Sequence, residues 1–176
     1  MRVSSASERL HRVRWVARRL FHVLRNFSRY FRISVTGIGA LSDVRRHKYA
    51  RAEKGLLRVY ELLPPGEEPA LVVSLAMCLV SLRLGNPAAA AELSLKAIRQ
   101  AKVPGALIGA SAAERDYLRY YGKLIYEEAT RLDGTPMTID VGIQSEADLD
   151  LDKVGARIRS DYPLSVVQPP SAHTLH

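Results

Sequence analysis

Cysteine is almost missing from this sequence: Cys78 stands alone, which excludes an internal disulfide framework and any zinc site built on several cysteines. Aromatic residues make up only 7%, and eight of the twelve are tyrosines. No apolar run reaches the roughly 20 residues that cross a bilayer. The longest, Ala70 to Leu82, contains Ser74 and Ser81. Gly37-Ile38-Gly39-Ala40 is no phosphate loop, because it lacks a third glycine, a following Lys-Ser/Thr pair and a preceding strand. Acids are scarce at the start, where residues 1–54 hold three against 14 Lys or Arg. The rest of the chain holds 15 acids against 12 bases, so the net charge of +8 belongs to the first third. Such asymmetry calls for an anionic partner at that end: nucleic acid, an acidic protein or anionic lipid.

What is present is a helical pattern in 176 residues, 47% of them hydrophobic, enough for one ordinary domain and a tail. From Ser7 to Phe31, the residues Leu10, Val13, Ala17, Leu20, Leu24, Phe27 and Phe31 recur at spacings of three and four, with Val16, Val23 and Tyr30 widening the stripe. Ser5 and Glu8 supply a capping box at its start. Arg9, Arg12, Arg14, Arg18, Arg19, Arg25, Arg29 and Arg32 occupy the remaining circumference, with Trp15 among them, and are the candidate contacts for the anionic partner. Residues 1–32 thus read as a basic amphipathic helix. Its stripe suits a membrane surface or a homodimer seam, and its arginines suit phosphates. The same composition fits a mitochondrial presequence; without that role the expected location is cytoplasmic or membrane-peripheral.

Residues 33–41, ISVTGIGAL, read as an apolar linker. A helix is expected from Ser42 to Leu63, ending at Pro64-Pro65-Gly66, and a third from Pro69 to Leu84 that is apolar on nearly every side. Gly85 suits the positive φ that ends a helix, Asn86 and Pro87 suit the start of a fourth, and Ser111 with Glu114 forms a capping box for a fifth that stops before Gly134. Thr138 to Ile143 alternates apolar and polar residues, as a short strand would. Residues 135–162 form an acidic, partly ordered segment that allows a weak helix from Asp150 to Arg159, and 163–176 read as a disordered tail. The expected fold is all-α: the basic helix plus a body of about four helices over 42–134.

Leu84-Gly85-Asn86 at the turn, Ala90 at a helix crossing, Lys96-Ala97-Ile98 and an inward Met77 together resemble a tetratricopeptide-repeat hairpin, over Leu71 to Pro104 or about one fifth of the chain. Ser74, Ser81 and Ser94 stand where that family carries large residues, and its proline arrives late, as Pro104. The resemblance implies a protein-binding scaffold without catalysis. Its protein partner would meet a concave face of the body, with Arg115, Tyr117, Arg119, Tyr120 and Tyr121 as the exposed contacts.

No cofactor or metal site is expected. His11 and His22 are eleven positions apart, about 16 Å along a helix, too far to share an ion. His173 and His176 form an H-x-x-H at the terminus. Asp148, Asp150 and Asp152 open like a calcium loop but lack its glycine and closing glutamate. Cys78 lies in the most apolar helix, and no nucleophile, base and orienting group fall together, so no enzymatic activity is expected.

Overall fold

The computed structural model describes residues 26–102 and 111–167, and it is all-α, with no strand among the described residues. Helix α1 covers residues 26–45. It is followed by α2 (Tyr49–Leu62), α3 (Leu71–Arg83), α4 (Pro87–Ala101), α5 (Ala112–Leu132) and, after an extended stretch with two short 3₁₀ turns, α6 (Ala156–Asp161). A last 3₁₀ turn, Leu164–Val166, closes the described chain.

Helix α3 is the centre. Eleven of its thirteen residues are buried, and it packs against α2, α4 and α5, so its all-round apolar sequence finds a neighbour on each side. Where α3 meets α4 the side chains are small: Ala90, Ser94 and Ala97 are fully buried. The hydroxyls on this seam are satisfied within it. Ser94 donates to the Ala90 carbonyl at 2.7 Å, and Ser74 donates to the Gln100 amide oxygen at 3.1 Å. Gln100 in turn donates to the Pro69 carbonyl at 2.6 Å. Helix α5 reaches both α3 and α4 through Gly122, where an added Cβ would lie 3.1 Å from Ile98 and 3.3 Å from Leu75.

The turn chemistry matches the local sequence. Gly85 and Gly134 end α3 and α5 at φ of +81° and +80°. Pro87 opens α4, and the Ser111–Glu114 capping box is formed in both directions, at 2.7 and 3.1 Å.

Three expectations are corrected. The linker at 33–41 is helical: α1 runs through it, with Gly37 buried beside Val59 and Val73 and Ala40 buried against α2. A Cβ on Gly55 of α2 would lie 2.9 Å from the Ala40 Cβ, so the two backbones meet there with nothing but hydrogen on one side. The helix expected from Ser42 is broken at 46–48, where His47 takes φ of +56° and α2 begins afresh at Tyr49. Neither glycine nor proline marks this break; it is held by the Lys48 amide donating to the Asp43 carbonyl at 2.9 Å and an Asp43–Arg51 ion pair at 3.0 Å. Residues 163–167, assigned to a disordered tail, are folded, with Leu164 and Val167 in the core.

The stretch 138–143 is a correction of a different kind. Its alternation is real, since Val141 and Ile143 are buried while Gly142 between them is exposed, but it pairs with no strand. Side chains of α5 take the place of a ladder: Arg119 donates to the Val141 carbonyl, and Lys123 donates to the Ile143 carbonyl at 3.1 Å. Thr130 binds both the amide and the carbonyl of Met137, at 3.1 and 3.2 Å. The acids that follow are engaged locally: Asp148 accepts from the amides of Gln144 and Ser145, and Asp150 pairs with Lys153 at 2.6 Å. Residues 135–167 therefore form a strap along α5, anchored by Val154 and Tyr162 in the core. The Tyr162 ring meets Tyr121 edge-on at 5.3 Å, and its hydroxyl donates to the Val72 carbonyl of α3.

Candidate functional site

The strap decides the fate of the face on which a body partner was expected. Tyr117, Tyr120 and Tyr121 are 2%, 7% and 0% exposed, so none of them is a surface contact. Arg119 is committed to Val141 and to Asp116, and Arg115 is half-buried. Burial raises the phenol pKa of Tyr117, Tyr120 and Tyr121 above the ordinary value, as an apolar surround disfavours the phenolate. This cluster was legible as aromatic but not as covered, because the covering residues lie 20 to 45 positions further along.

Helix α1 presents the opposite situation. Its inner face sets Gly37, Ala40 and Val44 against the body. Its outer face carries Phe27, Phe31, Val35 and Ile38, which are 68%, 60%, 53% and 60% exposed. These four follow one another at spacings of four, four and three, so they form a continuous apolar line along one side of the helix. Phe27 and Phe31 stack at 6.4 Å between ring centroids. Residues 26–42 contain Arg29 and Arg32 and no carboxylate.

The orientation of that line is set by contacts between α1 and the body. Arg29, expected to contact the anionic partner, instead donates through Nε to the Leu62 carbonyl at 2.6 Å and through Nη2 to the Leu63 carbonyl at 3.2 Å. A cation there meets the last carbonyls of α2, where the helix dipole favours positive charge. Tyr30 donates to the Glu67 carboxylate at 2.9 Å, and that bond raises its phenol pKa. At the other end Arg45 pairs with Asp161 of α6, a carboxylate that Arg157 also approaches at 3.8 Å. Arg32 is exposed. Arg9, Arg12, Arg14, Trp15, Arg18, Arg19 and Arg25 lie outside the described residues, as do His11, His22, His173 and His176. Val35 and Ile38 were missed by the sequence reading. The signal was there, since they extend the three-and-four spacing of Leu10 to Phe31 into the stretch assigned to a linker.

Two cavities of about 320 and 340 Å³ border the strap. The first lies between the α1–α2 turn and α6, walled by Val44, Leu79 and Val166, with His47 Nδ1 and the Tyr49 hydroxyl 2.8 Å apart at its rim. The second lies beside Tyr117, Glu146 and Arg159. Cys78, fully buried, has its thiol pushed up to about 12 by burial and donates to the Ser74 carbonyl at 3.1 Å, so it stays protonated. Among the described residues, no three His, Cys, Asp or Glu side chains are grouped to hold a metal ion, and no helix is long and apolar enough to cross a membrane.

Compared with protein-family models, with curated proteins and with solved structures, this chain matches none of them.

Proposed function

We propose that this protein is a non-catalytic adaptor, anchored to a partner through the outer face of α1 and the basic segment that precedes it. The observation that carries this reading is the exposed line Phe27, Phe31, Val35 and Ile38 on a helix whose opposite face is already used by the body. Four large apolar side chains in a row on one exposed face mark an interaction surface, whereas isolated ones do not. Charge supports the same end of the molecule, since residues 1–42 carry nine arginines against the single acid Glu8. The adaptor class also draws support from the chain-order packing of α2 on α3, α3 on α4 and α4 on α5, which suits the tetratricopeptide-like reading of the α3–α4 hairpin.

A photo-reactive residue at position 35 is expected to form adducts in its native setting, while the same residue at the exposed position 92 of α4 forms none. Adducts of equal yield at both positions would overturn the reading.

A further inference from the structure

Granted that α1 is the anchor, we propose that what its outer face docks on is an anionic membrane surface, with the apolar line set into the boundary between headgroups and acyl chains. Three observations favour lipid over the other occupants.

The first is the chemistry of the line itself. Val35 and Ile38 are aliphatic and as exposed as the two phenylalanines. A polyanion such as nucleic acid would satisfy the arginines and stack on Phe27, but it offers Val35 and Ile38 nothing better than water. A bilayer boundary accepts all four.

The second is width. In the sequence before residue 26, Val13, Ala17, Leu20 and Leu24 fall in register with Phe27 and Phe31 on the 3.6-residue period, and Val16, Phe21 and Val23 fall on the margins. On the helical period expected from the sequence they would take up an arc of about 160° at 100° per residue. A two-stranded seam uses a narrower stripe, and a pair of copies would set nine arginines beside nine. A wide apolar arc bounded by arginine is the pattern of a helix lying in a charged interface, where each cation gains from anionic headgroups.

The third is geometry. Of the contacts that fix α1 to the body, Arg29 reaches the carbonyls of Leu62 and Leu63 from the far side of the helix, Tyr30 meets Glu67 beside the line and Arg45 meets Asp161 beyond its end, and all four side chains of the line stay exposed. From Phe27 to Ile38 the line is about 17 Å long at the helical rise. It can therefore lie flat on a surface with the body held on the water side.

The test is co-sedimentation of the full chain with vesicles of phosphatidylcholine alone and of phosphatidylcholine mixed with phosphatidylglycerol, at low and high salt. The intact chain is expected to sediment with the mixed vesicles, less so as salt rises, and to stay in solution with the neutral ones. A variant carrying Phe27→Gln, Phe31→Gln, Val35→Gln and Ile38→Gln is expected to lose at least about tenfold in partition while keeping its helical circular dichroism. If that variant misfolds, Val35→Gln with Ile38→Gln alone supplies the comparison. An intact chain that ignores both vesicle types but dimerises, or is retained on single-stranded DNA, through the same four residues overturns the lipid proposal and leaves the adaptor reading standing. Vesicle binding unchanged by the four substitutions overturns both, since the arginines alone would then account for it.

Discussion

Helices α1 and α5 both carry aromatic side chains on amphipathic faces, yet they end in opposite circumstances. Tyr117, Tyr120 and Tyr121 of α5 lie beneath a strap formed by residues 135–167, whereas Phe27 and Phe31 of α1 face away from the body. The difference does not lie in the helices. It lies in whether another part of the chain returns to cover them, and on α5 that return is made by Val141, Ile143, Val154 and Tyr162. An aromatic face is therefore core or interface according to its neighbours, and the same side chain carries stability in one case and availability in the other.

The comparison breaks most visibly at Tyr162. Replacing it with alanine removes a fully buried ring that meets Tyr121 edge-on and a hydroxyl that binds the Val72 carbonyl, so urea unfolding is expected to show a loss of about 3–5 kcal/mol. A loss under about 1 kcal/mol would mean that the strap is an accessory rather than part of the core.

The second effect belongs to pH. In the folded protein the Cys78 thiol is pushed from 9.0 up to about 12, and Tyr121 and Tyr162 are raised in the same direction by burial. The unfolded chain then releases protons at a pH where the fold still holds them, so stability is whole below about 9 and falls as pH rises toward 12. Cys78 alone accounts for about 2–3 kcal/mol near pH 11. Denaturant midpoints measured along that range check it, and a thiol reagent at pH 8 should label Cys78 only once the chain unfolds. Phe27 and Phe31 have no part in this dependence.

Next comes the crossing that holds α1 with its outer face outward. Gly55→Ala sets a methyl carbon 2.9 Å from the Ala40 Cβ, so helices α1 and α2 must separate. The gain in helix propensity, about 1 kcal/mol, is outweighed by overpacking, and a net loss of about 1–2 kcal/mol in thermal or denaturant unfolding is expected. A stabilised variant would show that the crossing yields freely. The smallest effect is expected at Phe31→Gln, within about 0.5 kcal/mol of the parent by the same measurements, because a side chain 60% exposed contributes little to the fold. A large loss there would place α1's outer face in the core and end the contrast with α5.

Part of this architecture was legible residue by residue. Pro87 at the first position of α4, the Ser111–Glu114 box on α5 and the glycines at 85 and 134 each act on backbone groups within a few positions, so their chemistry is complete in a short window. The all-round apolar sequence of α3 announced a central helix for the same reason. The turn at His47 carried only a faint signal: histidine takes positive φ more often than most side chains but still seldom, and here the conformation is held by what fixes α1 and α2 at either side. Residues 33–41 are helical despite two glycines because Ala40 packs against Gly55 of α2, a contact between residues 15 positions apart that no short window records.

By itself, then, the sequence determined the helical class, most helix ends, and the concentration of positive charge in the first third, since each depends on spacing, local hydrogen bonding or composition alone. Only the tertiary structure decided which apolar faces are covered. Burial is settled between residues far apart in the chain, as between Tyr162 and Val72, ninety positions away. No short window of sequence records that meeting. The cover on α5 and the bare line on α1 are both its outcome.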